Sequence, residues 1–440
     1  MKLNLQSIAA ATFLVLLFVI PPAQGGEAST KGSLRKTFSG LTAEREGAVV
    51  RLSFRTGGGA SAKKDPITAR IYRKTIENFT FGTDYAEYFH EMPFEGAEVV
   101  KEVTLTRDEG ILFSCTDETV KIGKTYAYWV ASPDDVLATG PAPVKVRDTA
   151  VWWPKTEIDA RLKAIAEAFP EKTALKTYGY TAVGEPLYGM LIGNTKGGLA
   201  LVGAIHAGES GPELILPAVE RLLEEESGLL EKVGLALLPV VNADERERQA
   251  RGCPWYLRKN ATGVDLNRNF DAMWEVVDKT YGLSTDEPVS ATYRGPRPGS
   301  APETQAVIEF IEEAQPRLVL SYHALASITG ASFLAPKAAK DAPLFQEWPR
   351  GVLEAYGKGM YPDGGREARI SFGTSSGSFP TWLYLKKGIA GFDVEWDGNP
   401  ETEACRRDEV TPGLLSLNQK QHYGGMVAAL RVMAGEPEQP

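Results

Sequence analysis

Histidine and carboxylate residues follow predicted buried strands at separate places in the chain. His206 and Glu209 lie three residues apart in VGAIHAGES, which begins as a strand and continues into a turn of small residues. His323 ends a second apolar stretch, LVLSYHALAS, and Glu395 lies in a third, FDVEW. Two histidines and one carboxylate suit Zn²⁺ with its fourth position open to water. The pattern therefore predicts a metal site that activates water.

Each of these residues also has a structural explanation when it is taken singly. His-x-x-Glu spacing arises by chance in many proteins, and a histidine at a strand end is more often hydrogen bonded than metal bound. Only 4 histidines occur in the chain, however, and two of them lie at strand ends. In open α/β sheets, ligands gather at the carboxyl ends of the strands. The joint pattern therefore favours the metal site.

The stretch WYLRKNATGVDLNRNF joins these residues into a longer motif. The sequence resembles the M14 family of zinc carboxypeptidases, in which His-x-x-Glu, an arginine in an RK segment, GVDxNRNF, SYH and a late-strand glutamate follow in this order. All five occur here in that order. YGYTAVGEPLYGMLIG and YRGPRPGSAPETQAVIEFI also resemble family segments. The resemblance covers roughly residues 156–430.

The resemblance implies a role for each matched position and one Zn²⁺ in the catalytic domain. The positions are the zinc ligands His206, Glu209 and His323, the general base Glu395, the oxyanion-stabilising Arg258, the substrate-carboxylate clamp Asn267 and Arg268, and Asp265, which accepts the other ring N–H of the first histidine. The implied reaction is attack of zinc-activated water on a C-terminal peptide bond, with the glutamate moving the proton.

The chain departs from the family at several positions. A substrate-capping tyrosine, which many members place about 22 residues before the catalytic glutamate, is replaced by Gly373, and Tyr361 reaches that role only if the alignment slips. Trp255 stands where many members have an additional arginine. The position that sets specificity for the C-terminal residue maps to about Pro380, which is neutral.

Asp393 is a further candidate for substrate binding. It lies two residues before Glu395 on a predicted strand, so both side chains face the same side. We expect Asp393 to line the pocket and to pair with an amino group of a C-terminal Lys, Arg or diaminopimelate. The alternative is that it pairs with a nearby arginine and never meets the substrate.

Two domains are expected to position these residues. Residues 35–148 contain short alternating stretches rich in β-branched and aromatic residues, which predict an all-β sandwich. The end of this region resembles a fibronectin type III domain. His90, among aromatic residues, is interpreted as a packing or surface residue. We expect this domain to act as a spacer or as a binding module that restricts access to the cleft.

Helical and strand-like segments alternate from residue 156 to residue 435, after a linker over 149–155. Nearly continuous apolar strands between amphipathic helices predict an α/β fold, with a mixed, mostly parallel twisted sheet covered by helices on both faces. The segments 26–34 and 436–440 are interpreted as a linker and a tail. The densest charged run, ADERERQAR, mixes both signs and is interpreted as a solvated face.

Residues 1–25 are predicted to be a cleaved signal peptide. Lys2 precedes the apolar run IAAATFLVLLFVI, and small residues occupy the −3 and −1 positions of a cut before Gly26. The alternative is a membrane anchor, but the run is shorter than the roughly 20 residues that a spanning helix needs. We therefore expect a secreted or periplasmic protein, of bacterial type, with no stable membrane anchor after cleavage.

Composition limits the partners. The net charge is −9 and no basic stripe occurs, which argues against a nucleic-acid partner. Three cysteines, Cys115, Cys253 and Cys405, allow at most one disulfide bridge, and the last two lie within the larger domain. The expected partner is a peptide with a free C-terminal carboxylate.

Three functions follow from these observations. The first is a secreted zinc carboxypeptidase that acts on peptides, including peptidoglycan stem peptides at a γ-D-glutamyl–diaminopimelate bond. The second is an M14-like deacylase of N-acyl amino acids, although such enzymes usually lack the full GVDLNRNF context. The third is a cell-surface binding protein with a degenerate site. The complete set of ligands, base and carboxylate clamp argues against the third.

Overall fold

The computed structural model describes residues 36–56, 65–76, 92–106, 111–209, 211–255, 257–277, 284–323, 331–364, 369–373, 376–396 and 411–436. The predicted signal peptide, His90 and Cys405 lie outside these residues. Cys115 and Cys253 carry free thiols, so the structure does not support a bridge from Cys253. None of the described helices is both long enough and apolar enough to cross a membrane.

The first part of the chain forms two antiparallel sheets. One has the order β1-β2-β5 and the other β4-β3-β6-β7. The strands are β1 (Phe38–Glu46), β2 (Val49–Thr56), β3 (Ile67–Ile76), β4 (Glu98–Leu105), β5 (Leu112–Asp117), β6 (Thr125–Ala131) and β7 (Thr139–Lys145). Alternate residues of β2, including Val50, Leu52 and Phe54, are buried in a shared core, as the alternating pattern predicts. We call this part the β-sandwich; its relation to fibronectin type III domains stays a prediction.

The remaining described residues form an eight-stranded mixed sheet with helices. In chain order the elements are α1 (Lys155–Ala168), β8 (Thr173–Tyr180), β9 (Pro186–Ile192), β10 (Leu199–Gly203), α2 (Pro212–Glu225), α3 (Ser227–Lys232), β11 (Leu235–Leu238), α4 (Ala243–Ala250), α5 (Pro302–Ala314), β12 (Leu318–Tyr322), β13 (Ala331–Pro336), α6 (Pro343–Gln346), α7 (Trp348–Met360), β14 (Arg369–Gly373), α8 (Phe379–Trp382), β15 (Ala390–Trp396) and α9 (Pro412–Met433). Short 3₁₀ turns cover Leu266–Arg268 and Lys337–Ala339, and a π-helical turn covers Leu383–Lys387.

The sheet has the order β14-β13-β15-β12-β10-β11-β9-β8. Four neighbouring pairs are parallel, namely β10–β11, β10–β12, β12–β15 and β13–β14, and the other three are antiparallel. The expectation of a mixed, mostly parallel sheet with helices, after an all-β part, is confirmed. Every residue of β10 and β12 is buried, which explains their continuous apolar sequences.

The last helix is longer than its sequence pattern indicates. The apolar spacing predicts a helix from about residue 420, whereas α9 begins at Pro412. The Thr411 side chain caps this helix by accepting a hydrogen bond from the backbone N–H of Leu414 at 3.3 Å. A threonine cap followed by proline at the first position is a strong start signal, and it outweighs the irregular apolar spacing of the first turns.

The central strands bring the predicted site residues to one edge of the sheet. Strand β10 leads to His206, and β12 leads to His323. Strand β15, which carries Glu395, pairs with β12 in parallel. Since β10, β12 and β15 are adjacent and run in the same direction, their carboxyl ends meet at the same place, where α/β folds bind their ligands.

Candidate active site

His206, Glu209 and His323 form a compact group of possible metal ligands, with one donor atom from each residue within 4.8 Å of the others. The Nδ1 atoms of the two histidines are 3.2 Å apart. A carboxylate oxygen of Glu209 lies 3.1 Å from Nδ1 of His206, and the other lies 2.9 Å from Nδ1 of His323. Tetrahedral zinc ligands at ordinary bond lengths lie about 3.3 Å from one another. The spacing therefore fits Zn²⁺.

A carboxylate outside this group orients each histidine. The Nε2 atom of His206 lies 3.0 Å from Oδ1 of Asp265, and Nε2 of His323 lies 3.1 Å from Oδ1 of Asp393. A carboxylate holds the ring proton on the nitrogen that faces it and leaves the other nitrogen as a metal ligand. A metal ion between the two rings would take the lone pair of each Nδ1 in place of a proton.

A buried arginine, Arg246, holds the turn that carries His206 and Glu209. Arg246 on α4 donates to the backbone oxygens of Ala207 at 3.1 Å and Glu209 at 2.8 Å, and it forms a buried ion pair with Glu213. The chain enters the turn through Ala204, which has a φ of 46°, an uncommon value for a residue with a side chain. The interpretation of ADERERQAR as a solvated face is wrong for Arg246 because it is fully buried.

Electrostatics favour an ionised ligand carboxylate. Burial alone would raise the pKa of Glu209, but the charges and hydrogen bonds of His206 and His323 outweigh it and hold this pKa well below its usual range. Glu209 thus offers a metal ion an anionic oxygen at neutral pH. An anionic oxygen with two imidazole nitrogens is a common ligand set for catalytic zinc.

Glu395 has the opposite electrostatic character. Burial raises the pKa of its carboxyl group to about 7, and the negative charges of Glu209 and Asp393 add to this effect. A carboxylate with a pKa near the working pH is suited to accept and return a proton. Its place on β15 puts it at the same edge of the sheet as His323, which follows β12.

Asp265 links the metal group to Arg258. Its Oδ1 faces His206, and its Oδ2 accepts from Nε and Nη2 of Arg258 at 2.8 and 2.7 Å. Burial would raise the pKa of Asp265, but Arg258 and His206 hold it far below its usual value. The ionised carboxylate of Asp265 thereby holds both the predicted ligand His206 and the side chain of Arg258.

Asn267 and Arg268 lie in the 3₁₀ turn and are buried. The amide nitrogen of Asn267 donates to Asp393 at 3.0 Å, and its amide oxygen accepts from the backbone N–H of Phe379 at 2.9 Å. Arg268 is 7% exposed, and burial lowers the pKa of its guanidinium despite the nearby Asp265, Asp393 and Glu395 charges. The structure thus places a desolvated positive charge beside the acidic centre.

Gly377 lets its own chain segment approach the 3₁₀ turn Leu266–Arg268 closely. It has a φ of 70°, and a Cβ atom there would lie 1.9 Å from the backbone oxygen of Arg268. A side chain at this position would therefore displace the turn that carries Asn267 and Arg268. The two segments also share backbone hydrogen bonds, from Phe270 to Gly377 and from Gly377 to Ala272.

The structure shows what Asp393 contacts, whereas its role in substrate binding stays a prediction. The residue is 4% exposed, and its carboxylate contacts His323 and Asn267, which favours a role in orienting the predicted ligand His323. The charge of Asp393 also acts on the nearby Arg268, so the alternative of an arginine partner stays a prediction too. As strand alternation predicts, Asp393 and Glu395 share one side of the sheet.

Asp393→Asn is expected to lower zinc affinity by about 10- to 100-fold, because the ring proton of His323 loses a charged acceptor. The preference of the enzyme for peptides ending in Lys over peptides ending in Leu should stay as in the unsubstituted protein. Competition with a zinc chelator measures the first quantity, and initial rates measure the second. Asp271→Asn, which alters an exposed partner of Lys386, is the matched control. A changed preference between peptides ending in Lys and in Leu, with unaltered zinc affinity, would instead show that Asp393 contacts the substrate.

Sequence reasoning missed several contacts of the site. Ser321 lies 3.2 Å from Nε2 of His323; its position two residues earlier on the same strand face was the available signal.

The structure also places positions at which the chain departs from the family. Pro380 lies buried in α8. Trp255 packs against a cluster of the β-sandwich that includes Trp129. Tyr361 follows α7 and packs against the core, and its role as a cap stays untested.

The chain is similar to a family of known proteins. The family described as Peptidase M14, zinc carboxypeptidase, matches residues 158–405. Murein peptide amidase A of Escherichia coli K12 is 31% identical over 219 residues, which are 49% of this chain and 80% of that protein. Carboxypeptidase B of Helicoverpa zea is 29% identical over 194 residues, which are 39% and 44% of the two chains.

Among solved structures, carboxypeptidase A from Helicoverpa armigera is similar, with a TM-score of 0.51 and 15% identity over 85% of this chain and 99% of that one. At this identity the likeness concerns the fold alone.

Proposed function

We propose a reaction for this protein from the premise that the chain belongs to the zinc carboxypeptidase family. The protein is a metallocarboxypeptidase-type hydrolase, and the proposed reaction is hydrolysis of an amide bond next to a residue with a free carboxylate. One observation carries the proposal. A carboxyl group with a pKa of about 7, Glu395, lies at the strand edge that also holds three ligand atoms within 4.8 Å.

His206, Glu209 and His323 would hold the metal. Zn²⁺ bound there supplies a Lewis acid that lowers the pKa of a water molecule and polarises a carbonyl group. Glu395 accepts the proton of the attacking water and delivers it to the nitrogen of the leaving amine. Its raised pKa makes both transfers feasible near neutral pH.

Arg258 supports the same step by stabilising negative charge on the carbonyl oxygen as the water attacks. Asp265 holds two nitrogens of its guanidinium, so the orientation of this group is set before the substrate binds. Preorganised donors of this kind stabilise a developing oxyanion more than they stabilise the neutral carbonyl. Arg258 should therefore act on kcat more than on KM.

The substrate carboxylate is proposed to bind at the 3₁₀ turn. Arg268 supplies the positive charge, and a planar guanidinium matches a carboxylate with two parallel hydrogen bonds. Asn267, held by Asp393 and Phe379, fixes the position of the turn and contributes to the same clamp. This arrangement favours substrates that end in a free carboxylate.

We further propose that the substrates include peptidoglycan stem peptides, cleaved at a γ-D-glutamyl–diaminopimelate bond. The similarity to a murein peptide amidase over 80% of that protein supports this choice. The predicted signal peptide at residues 1–25 supports action in the periplasm or outside the cell. Ordinary peptides with varied C-terminal residues are the second substrate class.

Matched peptides test the substrate proposal. We expect the zinc-loaded mature protein to release diaminopimelate from L-Ala-γ-D-Glu-diaminopimelate. The same peptide with an α-L-glutamyl linkage should be cleaved about tenfold more slowly or worse, a difference that differential binding of one group can supply. Chromatography of the released amino acid gives both rates.

Three outcomes separate the alternatives. Faster cleavage of the α-linked peptide would assign the protein to ordinary carboxypeptidases. Release of an acyl group from an N-acyl amino acid, with neither peptide cleaved, would favour the deacylase. Stoichiometric zinc without turnover of any of these compounds would contradict a hydrolase at this site.

A further inference from the structure

We infer that Arg147 of the β-sandwich is a positioning residue for catalysis. It fixes residues 249–255, 257 and 258, which we call the bracing segment, and through this segment it places Arg258. The β-sandwich then helps to position a catalytic residue, a role that goes beyond the spacer or binding module expected from the sequence. The inference rests on the proposed function, because that function gives Arg258 its role.

Arg147 leaves the last strand of the β-sandwich and points into the α/β part. It is 1% exposed, although it is one of the largest side chains of the protein. Its Nη1 atom donates to the backbone oxygen of Gln249 at 2.8 Å and to that of Cys253 at 2.5 Å. Hydrogen bonds from a charged donor are stronger than neutral ones. Arg147 thus holds two points of the bracing segment together.

The bracing segment continues these contacts to the metal-binding turn. The side chain of Gln249 donates to the oxygen of Cys253 at 3.4 Å and accepts from the backbone N–H of Leu257 at 3.3 Å. The backbone oxygen of Leu257 then accepts from the N–H of Gly208 at 3.1 Å. Gly208 lies between the ligands His206 and Glu209. A chain of hydrogen bonds therefore connects the β-sandwich to the site.

Backbone contacts dock the same segment on two strands of the β-sandwich. The N–H of Arg45 on β1 donates to the oxygen of Arg251 at 2.7 Å, and the N–H of Lys145 on β7 donates to the oxygen of Gly252 at 2.8 Å. Gly252 has a φ of 102°, and a Cβ atom there would lie 2.6 Å from Val144. Only glycine allows this close approach without strain.

Arg258 is the residue that follows Leu257, so its backbone position depends on the bracing segment. Its guanidinium is fixed at the other end by Asp265. A displacement of about 1 Å in a catalytic group can slow a reaction by about a hundredfold. Since Arg258 acts on charge that develops during the reaction, a misplaced Arg258 should lower kcat and leave KM nearly unchanged.

Arg147→Met tests the inference in the full mature chain. Methionine keeps part of the buried stem but removes the guanidinium donors, and we expect kcat to fall about 10- to 100-fold with KM changed less than about threefold and with stoichiometric zinc. Arg147→Lys should restore part of kcat, because lysine keeps a charged donor. The control is Arg73→Met, which removes contacts with Asp117 and Thr119 inside the β-sandwich and should leave kcat unchanged.

Hydrogen–deuterium exchange gives a readout that does not need activity. In Arg147→Met, backbone amides of the bracing segment should exchange faster than in the unsubstituted protein and in Arg73→Met. Wild-type kcat in Arg147→Met, or equal losses of kcat in both variants, would overturn the inference, and so would unchanged exchange in the bracing segment. An inactive unsubstituted protein would instead count against the proposed function, while the exchange comparison would still decide whether Arg147 fixes the segment.

Discussion

Glu395→Gln is expected to lower kcat/KM by about 10²- to 10⁴-fold, the usual range for a removed general acid–base group, while the protein keeps its fold and its zinc. Glutamine has nearly the shape of glutamate but cannot accept a proton from water. The measurements are initial rates on the preferred peptide, zinc content by mass spectrometry and the thermal unfolding temperature. Equal turnover by this variant and the unsubstituted protein would refute the proposed mechanism.

The pH profile supplies the control for this substitution. Burial raises the pKa of the Glu395 carboxyl group to about 7, and the base must be ionised to act. Therefore kcat/KM of the unsubstituted protein should fall as the pH decreases through this pKa. A bound cation favours the ionised form, so this acid limb should lie at or below about pH 7. The limb should be absent from the residual activity of Glu395→Gln.

His206→Ala is expected to abolish stoichiometric zinc binding and to reduce activity below detection. It removes one of three ligands and leaves Asp265 without its histidine partner. In the unsubstituted protein, zinc at a hundredfold excess over its Kd should raise the free energy of unfolding by about 2.7 kcal/mol. The same addition should leave the unfolding temperature of His206→Ala unchanged.

His422→Gln is the matched control for the loss of a buried histidine. His422 lies in α9, contacts Tyr356 and Tyr322 and is not one of the predicted ligands. Burial lowers its pKa to about 3. This variant should lose stability but bind zinc with unchanged stoichiometry. Full zinc occupancy in His206→Ala would show that the metal lies elsewhere.

The central sheet could be predicted because strands that are buried on both faces have mostly apolar sequences. Strands β10 and β12 are nearly continuous apolar runs, and β15 is apolar except for Asp393 and Glu395. Their common direction brings His206, His323 and Glu395 to one edge. Helices α2 and α5 coincide with the segments PELILPAVERLLEE and PETQAVIEFIEEA, whose apolar spacing predicts helices. Local patterns were sufficient here because a single element carries each signal.

The rest of the site depends on contacts between distant parts of the chain. Arg246 is charged and lies in a charged run, yet its partner Glu213 is 33 residues away, so its burial could not be inferred from neighbouring residues. The position of Asp393 depends on strand register, which sets Ser321 opposite it, and neither strand alone specifies that register. The role of the β-sandwich depends on an interface that leaves no local pattern.

The contacts of β1 and β7 with the bracing segment also affect which local unfolding events cost the least free energy. Local unfolding begins where the fewest contacts must be lost. A fluctuation that separates the β-sandwich removes the donors to the oxygens of Arg251 and Gly252 and releases the segment that ends at Arg258. The free energy needed to separate the β-sandwich is therefore an upper limit on the free energy of local opening at the site, however stable the eight-stranded sheet is by itself.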